Sequence, residues 1–195
     1  MELAYKGRFL VVPATVYPPA EDSFMLAEAA ESLQGNILEI GCGCGIVSLS
    51  CQNADSILGV DINSDAVECA KKNAEHNHIT NAKFIQSNLF SGVKGTFDAI
   101  LFNPPYLPTE KNERLSDSLN YAFDGGLDGR KTLDVFLTKF DNYLKPHGQL
   151  LLVQSSLNNL EKTVSTLKQQ NYTVTIKEQQ NFFFEKLYLL KASKT

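Results

Sequence analysis

Ile37-Leu38-Glu39-Ile40-Gly41-Cys42-Gly43-Cys44-Gly45, followed by Ile46-Val47-Ser48-Leu49, is an apolar run that ends in alternating glycines and then opens a helix. A strand that leads into such a loop brings bare backbone close to a nucleotide-like ligand at the start of a helix. The spacing is not the dinucleotide fingerprint, which would place a third glycine where Ile46 stands. Nor does a Lys with Ser or Thr follow, as a phosphate-binding loop requires. An uncharged or zwitterionic nucleoside therefore fits better than a pyrophosphate. A second strand, Ile57-Leu58-Gly59-Val60, ends at Asp61, sixteen residues after Gly45. Alone, Asp61 reads as a solvated strand end; paired with the glycine loop, it is placed to accept both ribose hydroxyls.

Further strands read at Lys83 to Gln86 and at Phe97 to Phe102. The second delivers Asn103-Pro104-Pro105-Tyr106 to a loop. An Asn side chain offers a carbonyl acceptor and an NH2 donor in one plane, prolines have no N–H and leave their carbonyls free, and Tyr106 supplies a face for a flat group. On its own the tetrapeptide reads equally as a proline-rich turn.

The rest of the chain alternates helices and strands. Helix one is expected from Pro19 or Ala20, with Glu21 and Asp22 in its first turn, to before Gly35. Ser64 to Asn77 carries a thin apolar face of Ala66, Val67, Ala70 and Ala74. After Gly129, Leu133, Phe136, Leu137, Phe140 and Leu144 have core spacing on a longer helix stopped by Pro146-His147-Gly148. A strand at Gln149 to Val153 and a helix marked by Leu157, Leu160, Val164 and Leu167 lead to a closing hairpin, Tyr172 to Lys177 and Phe183 to Leu190. This order predicts an α/β fold with a mostly parallel sheet, one reversed strand and ligand at the carboxyl ends of the strands. Leu107 to Asp128 is long for a loop and is expected to shape the acceptor pocket, with Asp124-Gly125-Gly126 turning beneath the Asn103 loop and Asp128 capping the next helix.

Glu39 to Gly45, Asp61-Ile62-Asn63, Ser87-Asn88-Leu89-Phe90 and Asn103-Pro104-Pro105-Tyr106 together resemble the class I S-adenosylmethionine methyltransferases of the HemK type, which methylate the side-chain amide of a glutamine in translation release factors. Val16 to Phe24 is similar to that family's YxPAED segment, and Asp124 to Arg130 to its DGGxDG segment. The resemblance runs from about Val16 to the C-terminus and implies a Rossmann-like fold with a seven-stranded sheet and helices on both faces. Only fifteen residues precede Val16, where bacterial members carry a separate helical domain, so the chain looks like the short archaeal and eukaryotic branch. It would then be one methyltransferase domain over residues 1–195, with an N-terminal arm over 1–18 and a substrate-side loop over 107–128. A small zinc-binding activator protein is the partner that branch implies, in a heterodimer, and a class I release factor is the substrate.

The resemblance implies that Asn103, Pro104, Pro105 and Tyr106 form the catalytic clamp. It places the cofactor, S-adenosylmethionine, against Ser23, Glu39, Gly41, Gly43, Asp61, Ile62, Asn88, Leu89 and Asn103. Glu39 would serve the methionine ammonium side, and Ser23, with Asp22, would close over the methionine part. Asn88 departs from the family's usual Asp, so weaker adenine recognition is expected, with the Leu89 amide serving the ring nitrogen. No metal is expected: Glu75-His76-Asn77-His78 reads as a polar helix end with no third ligand nearby.

Composition fits this picture. The chain has 195 residues, 43% of them hydrophobic and 21% charged, enough for one sizeable core. No apolar stretch approaches the roughly 20 residues that span a bilayer, and no signal-peptide pattern opens the chain, so the cytosol is the default address. Cys42, Cys44, Cys51 and Cys69 form no CxxC pair and read as reduced thiols. A net charge of −4 with no dense Lys/Arg cluster weighs against a nucleic-acid partner. Nucleobase amino methylation, which an NPPY clamp would also serve on a flipped base, protein lysine methylation and a noncatalytic cofactor-binding scaffold stand as the alternatives to glutamine methylation.

Overall fold

The computed structural model describes residues 1–109 and 119–194. The chain opens with a hairpin of β1 (Glu2–Tyr5) and β2 (Arg8–Val11), joined through Lys6 and Gly7, both at positive φ. Two such residues make the tight turn whose twist matches an antiparallel pair. The Lys6-Gly7 pair is the signal that an arm over 1–18 overlooked. α1 (Glu21–Ala30), β3 (Gly35–Ile40), α2 (Ile46–Ser50), β4 (Ala54–Asp61), α3 (Ser64–His76), β5 (Ala82–Gln86) and β6 (Phe97–Phe102) follow where the apolar runs placed them. The hairpin docks on α3, where the Asn73 and Asn77 Oδ1 atoms each accept, from Val11 N–H and Phe9 N–H, at 2.9 Å.

Beyond β6 the boundaries differ from those expected. A short α4 (Asn120–Phe123) interrupts the long loop, and α5 is only Lys131–Leu137. Phe140 sits in a 3-10 turn over Phe140–Tyr143, and Leu144 already opens β7 (Leu144–Ser155). The core spacing was real, since Phe140 and Leu144 are both buried, but a tight turn and a strand present those residues to the core as well as a helix does. Pro146-His147-Gly148 lies inside β7, at a register irregularity where Leu144 pairs with Phe97 and Gln149 with Ala99. Proline is tolerated in strands at such bulges. Leu157 falls in a 3-10 turn before α6 (Leu160–Gln169) and is exposed. β8 (Tyr172–Asn181) and β9 (Lys186–Lys194) close the chain, which moves Phe183 and Phe184 from the expected strand into the turn between them.

The seven-stranded sheet has the order β5-β4-β3-β6-β7-β9-β8, parallel throughout except for β9, which is antiparallel to both neighbours. Side chains alternate across each strand. Leu101, Leu151, Val153 and Leu189 face the layer of α1, α2 and α3, whereas Ile100, Phe102, Leu150, Leu152 and Leu190 pack with Leu133, Phe136 and Leu167 of α5 and α6. This is a doubly wound α/β fold. Because β3 to β7 all point the same way, Gly41, Asp61, Ser87 and Asn103 emerge at one end of the sheet.

Candidate active site

A cavity of ≈ 600 Å³ opens at that end. Every residue the resemblance assigned to cofactor or acceptor lines it: Ser23, Glu39, Gly41, Gly43, Asp61, Ile62, Asn88, Leu89 and Asn103 to Tyr106. Its floor is the glycine loop. Gly43 has φ 52°, a left-handed conformation that disfavours a side chain, and nothing lies within 4 Å of where its Cβ would be. Backbone is thus presented to the cavity without cover.

The acidic residues are held in different ways. Asp61 Oδ2 accepts from Gly43 N–H and Oδ1 from Asn63 N–H, both at 2.9 Å. Burial pushes its carboxyl up, and these backbone donors, with that of Ile62, pull it back. Glu39 is buried; its Oε2 accepts from Ser48 N–H at 2.8 Å and from Ser48 Oγ, and desolvation still raises it to about 8. Asp22, 4% exposed, accepts from Ser23 N–H at 2.7 Å and from Ser23 Oγ at 3.2 Å. The Tyr17 and Tyr106 hydroxyls also donate to it, at 3.4 Å each. Burial, reinforced by the Asp22 charge, keeps both phenols protonated.

Asn103 holds the most telling atom. Its Oδ1 is buried and has no hydrogen-bond partner among the described residues, a state that costs about 1–3 kcal/mol for an acceptor of this kind. The chain packs tightly nearby: a Cβ on Gly129 would stand 2.3 Å from the Tyr106 carbonyl oxygen. Asp124 Oδ1 accepts from Gly126 N–H at 2.9 Å. Asp128 does not cap α5; it accepts from Arg130 N–H at 3.1 Å, and Arg130 itself is the N-cap residue, with no side-chain cap. The part of the long loop at 110–118 lies outside the described residues.

Tyr17 and Glu185 were not singled out from the sequence. Tyr17 lay within the recognised N-terminal segment, but Glu185 follows β8 and carries no local signal; only the sheet order brings it to the cavity wall, where Ser155 Oγ donates to it at 2.5 Å. The lining holds five acidic side chains, Asp22, Glu39, Asp61, Asp124 and Glu185, of which burial keeps Glu39 protonated below about pH 8, against one cation, Lys131, among the described residues. Such a field favours a positively charged ligand and repels phosphate. All four cysteines are free and buried.

Residues 21–184 match the methyltransferase small domain family. The chain belongs to that family. This methyltransferase is 43% identical over 195 residues to a Methanocaldococcus jannaschii protein provisionally named a protein N5-glutamine methyltransferase, with 98% of each chain covered. It is 31% identical to human methyltransferase HEMK2 over 92% of this chain and 90% of that one. Among solved structures, the E. cuniculi Mtq2-Trm112 complex, described as responsible for methylation of the eRF1 translation termination factor, contains a chain that superposes with a TM-score of 0.72. At 22% identity, over 93% of this chain and 99% of that one, that likeness carries the fold.

Proposed function

We propose that this methyltransferase transfers a methyl group from S-adenosylmethionine to the side-chain nitrogen of the glutamine in the Gly-Gly-Gln motif of a class I release factor. The observation that carries this reading is that Asn103 lines an acid-lined cavity while its side-chain Oδ1 lacks a hydrogen-bond partner among the described residues. A primary amide or amine brought there supplies the missing donor. The relatives named for glutamine methylation select the amide, and the scarcity of cations selects a protein over a nucleic acid.

The lining fits the cofactor: the carboxylates suit its sulfonium and ammonium, Asp61 keeps acceptor capacity on both oxygens for ribose hydroxyls, and uncovered Gly43 gives close access. S-adenosylmethionine supplies an electrophilic methyl group on a sulfonium. Asn103 holds the acceptor NH2 so that its nitrogen faces that methyl, and Tyr106 and Pro105 exclude water from one side. Bound there, S-adenosylmethionine would give up the methyl group to the acceptor nitrogen as its S–C bond breaks to a neutral thioether, and the methylated nitrogen would pass its extra proton to water. No strong base is needed, because the proton leaves after the nitrogen has become acidic.

A small zinc-binding activator is the proposed partner, as the Mtq2-Trm112 pairing suggests, adding a strand at the free edge of β5. The cytosol is the proposed location. The test incubates the enzyme, with and without activator, with labelled cofactor and release factor bearing Gly-Gly-Gln or Gly-Gly-Ala. Label is expected only on the Gln form; label on the Ala form, or on nucleic acid alone, sinks the reading.

A further inference from the structure

β8 runs parallel to β3 through β7, so the turn after it opens at the same end of the sheet as the cavity. That turn is closed by Phe182 N–H donating to the Glu185 carbonyl at 2.8 Å. Its base is fixed to the end of β7 by Ser155 Oγ donating to the Glu185 carboxylate at 2.5 Å and by Lys186 N–H donating to Ser156 Oγ at 3.0 Å. On this rigid base Phe183 and Phe184 stand 92% and 86% exposed, their rings edge to face at 4.6 Å, with Phe182 beside them at 40%. Large apolar groups presented to water this way mark an interaction surface. Leu107, Leu127 and Leu157, also exposed, lie on the connections that leave β6 and β7 at this end.

We infer that Phe182–Phe184 is a preformed docking tip for the acceptor protein, seated in an apolar hollow of that protein away from the glutamine that is methylated. This rests on the acceptor being a protein, as proposed above. Continuity with the cavity names the occupant. Glu185, next to Phe184 in the chain, lines the cavity that holds Asn103, so a polypeptide that inserts a side chain there is brought alongside the tip. The free edge of β5 is at the far side of the sheet from β8, which separates the tip from the proposed activator contact. Carboxylates around the mouth oppose the phosphates of a nucleic acid that would otherwise stack bases on the two rings. A phenylalanine has only two side-chain torsions to immobilise on binding, and aromatic residues including Phe are enriched at interfaces.

The test compares wild type with Phe183→Ser/Phe184→Ser, both with activator, on intact release factor and on a short peptide spanning Gly-Gly-Gln. KM for the intact factor should rise about 10- to 100-fold. The kcat, cofactor Kd and peptide KM should stay within about twofold, and Phe183→Leu/Phe184→Leu should recover part of the loss. Unchanged KM for the intact factor overturns the inference, and so does an equal loss on the peptide. Loss of activator binding, a changed oligomeric state, or loss confined to RNA methylation would reassign the tip to the activator, to a second copy or to a base-stacking role. Failure of wild type to label the factor at all would instead remove the glutamine reading and the docking inference with it, whereas normal wild-type transfer with an unaffected variant removes the docking inference alone.

Discussion

The two halves of the sheet's carboxyl end are built differently. Below β3 and β4, carboxylates are fixed by nearby backbone: Asp61 by Gly43 and Asn63, Glu39 by Ser48. Around Asp22, Asn103 and the turn after β8, short bonds such as Ser155 Oγ to Glu185 at 2.5 Å stand beside groups that the fold engages less fully. Asp22 is held by Ser23 N–H at 2.7 Å but takes its two tyrosine hydroxyls at 3.4 Å, Asn103 Oδ1 has no partner among the described residues, and two phenylalanines face water. The first half is complete before a ligand arrives, as suits a small cofactor bound in one pose. On the proposed function, the second half is the part that an acceptor completes.

The largest effect expected on this contrast is at Asn103. Asn103→Ala should lower kcat by about 10²- to 10³-fold, the scale for removing one oriented polar contact to the reacting group, while cofactor Kd stays within about threefold by calorimetry. A matching loss of cofactor affinity would put Asn103 in the first half and erase the distinction. Asp61→Ala tests the converse: cofactor Kd should weaken about 10- to 100-fold, since hydrogen bonds to a charged group are lost and the Gly43 loop loses its anchor.

These two residues were legible in the sequence because each closes an apolar strand run that has no ambiguity of period. The parallel order, the reversed strand and the helices Glu21–Ala30 and Ser64–His76 were legible for the same reason. Besides the N-terminal hairpin, what failed lies mainly after Gly129, where burial continues while conformation changes: Phe140 and Leu144 keep core spacing across a turn and into a strand. Glu185 could not be found at all, because its place on the cavity wall depends on which strands become neighbours and not on any residue near it in the chain.

Glu39 gives a smaller, pH-dependent test. Its carboxyl is raised to about 8 in the folded chain by burial, so the native state keeps a proton that the unfolded chain has released. The stability tied to the neutral form is full below the ordinary carboxylate range and is lost as pH rises through about 8. Thermal melts from pH 5 to 9 should show wild type losing more than Glu39→Gln. A cationic ligand favours the carboxylate, so cofactor affinity should rise about tenfold across the same window in wild type and stay flat in the variant. Parallel profiles for the two proteins would mean that Glu39 is already ionised and that the first half carries no such reserve.

The smallest effect is at the loose end of the Asp22 cluster. Tyr17→Phe removes one long hydroxyl contact and should change acceptor kcat/KM by about 2- to 10-fold, with cofactor Kd unmoved in equilibrium titration. A cofactor defect would show that Asp22 works for both halves and sharpen where the boundary runs.

The buried cysteines set what thiol chemistry will find on this molecule. Cys42 and Cys44 stand in the glycine loop, yet burial holds Cys44 up at about 12, pushes Cys42 well above its usual value, and raises Cys51 and Cys69 as well. Shielded, protonated sulfur is a poor nucleophile. Alkylating probes and mild oxidants should pass over the native protein, and a Phe183→Cys variant would then carry one reactive handle at the edge of the acceptor mouth, ready for a bifunctional reagent to record whatever protein comes to rest there.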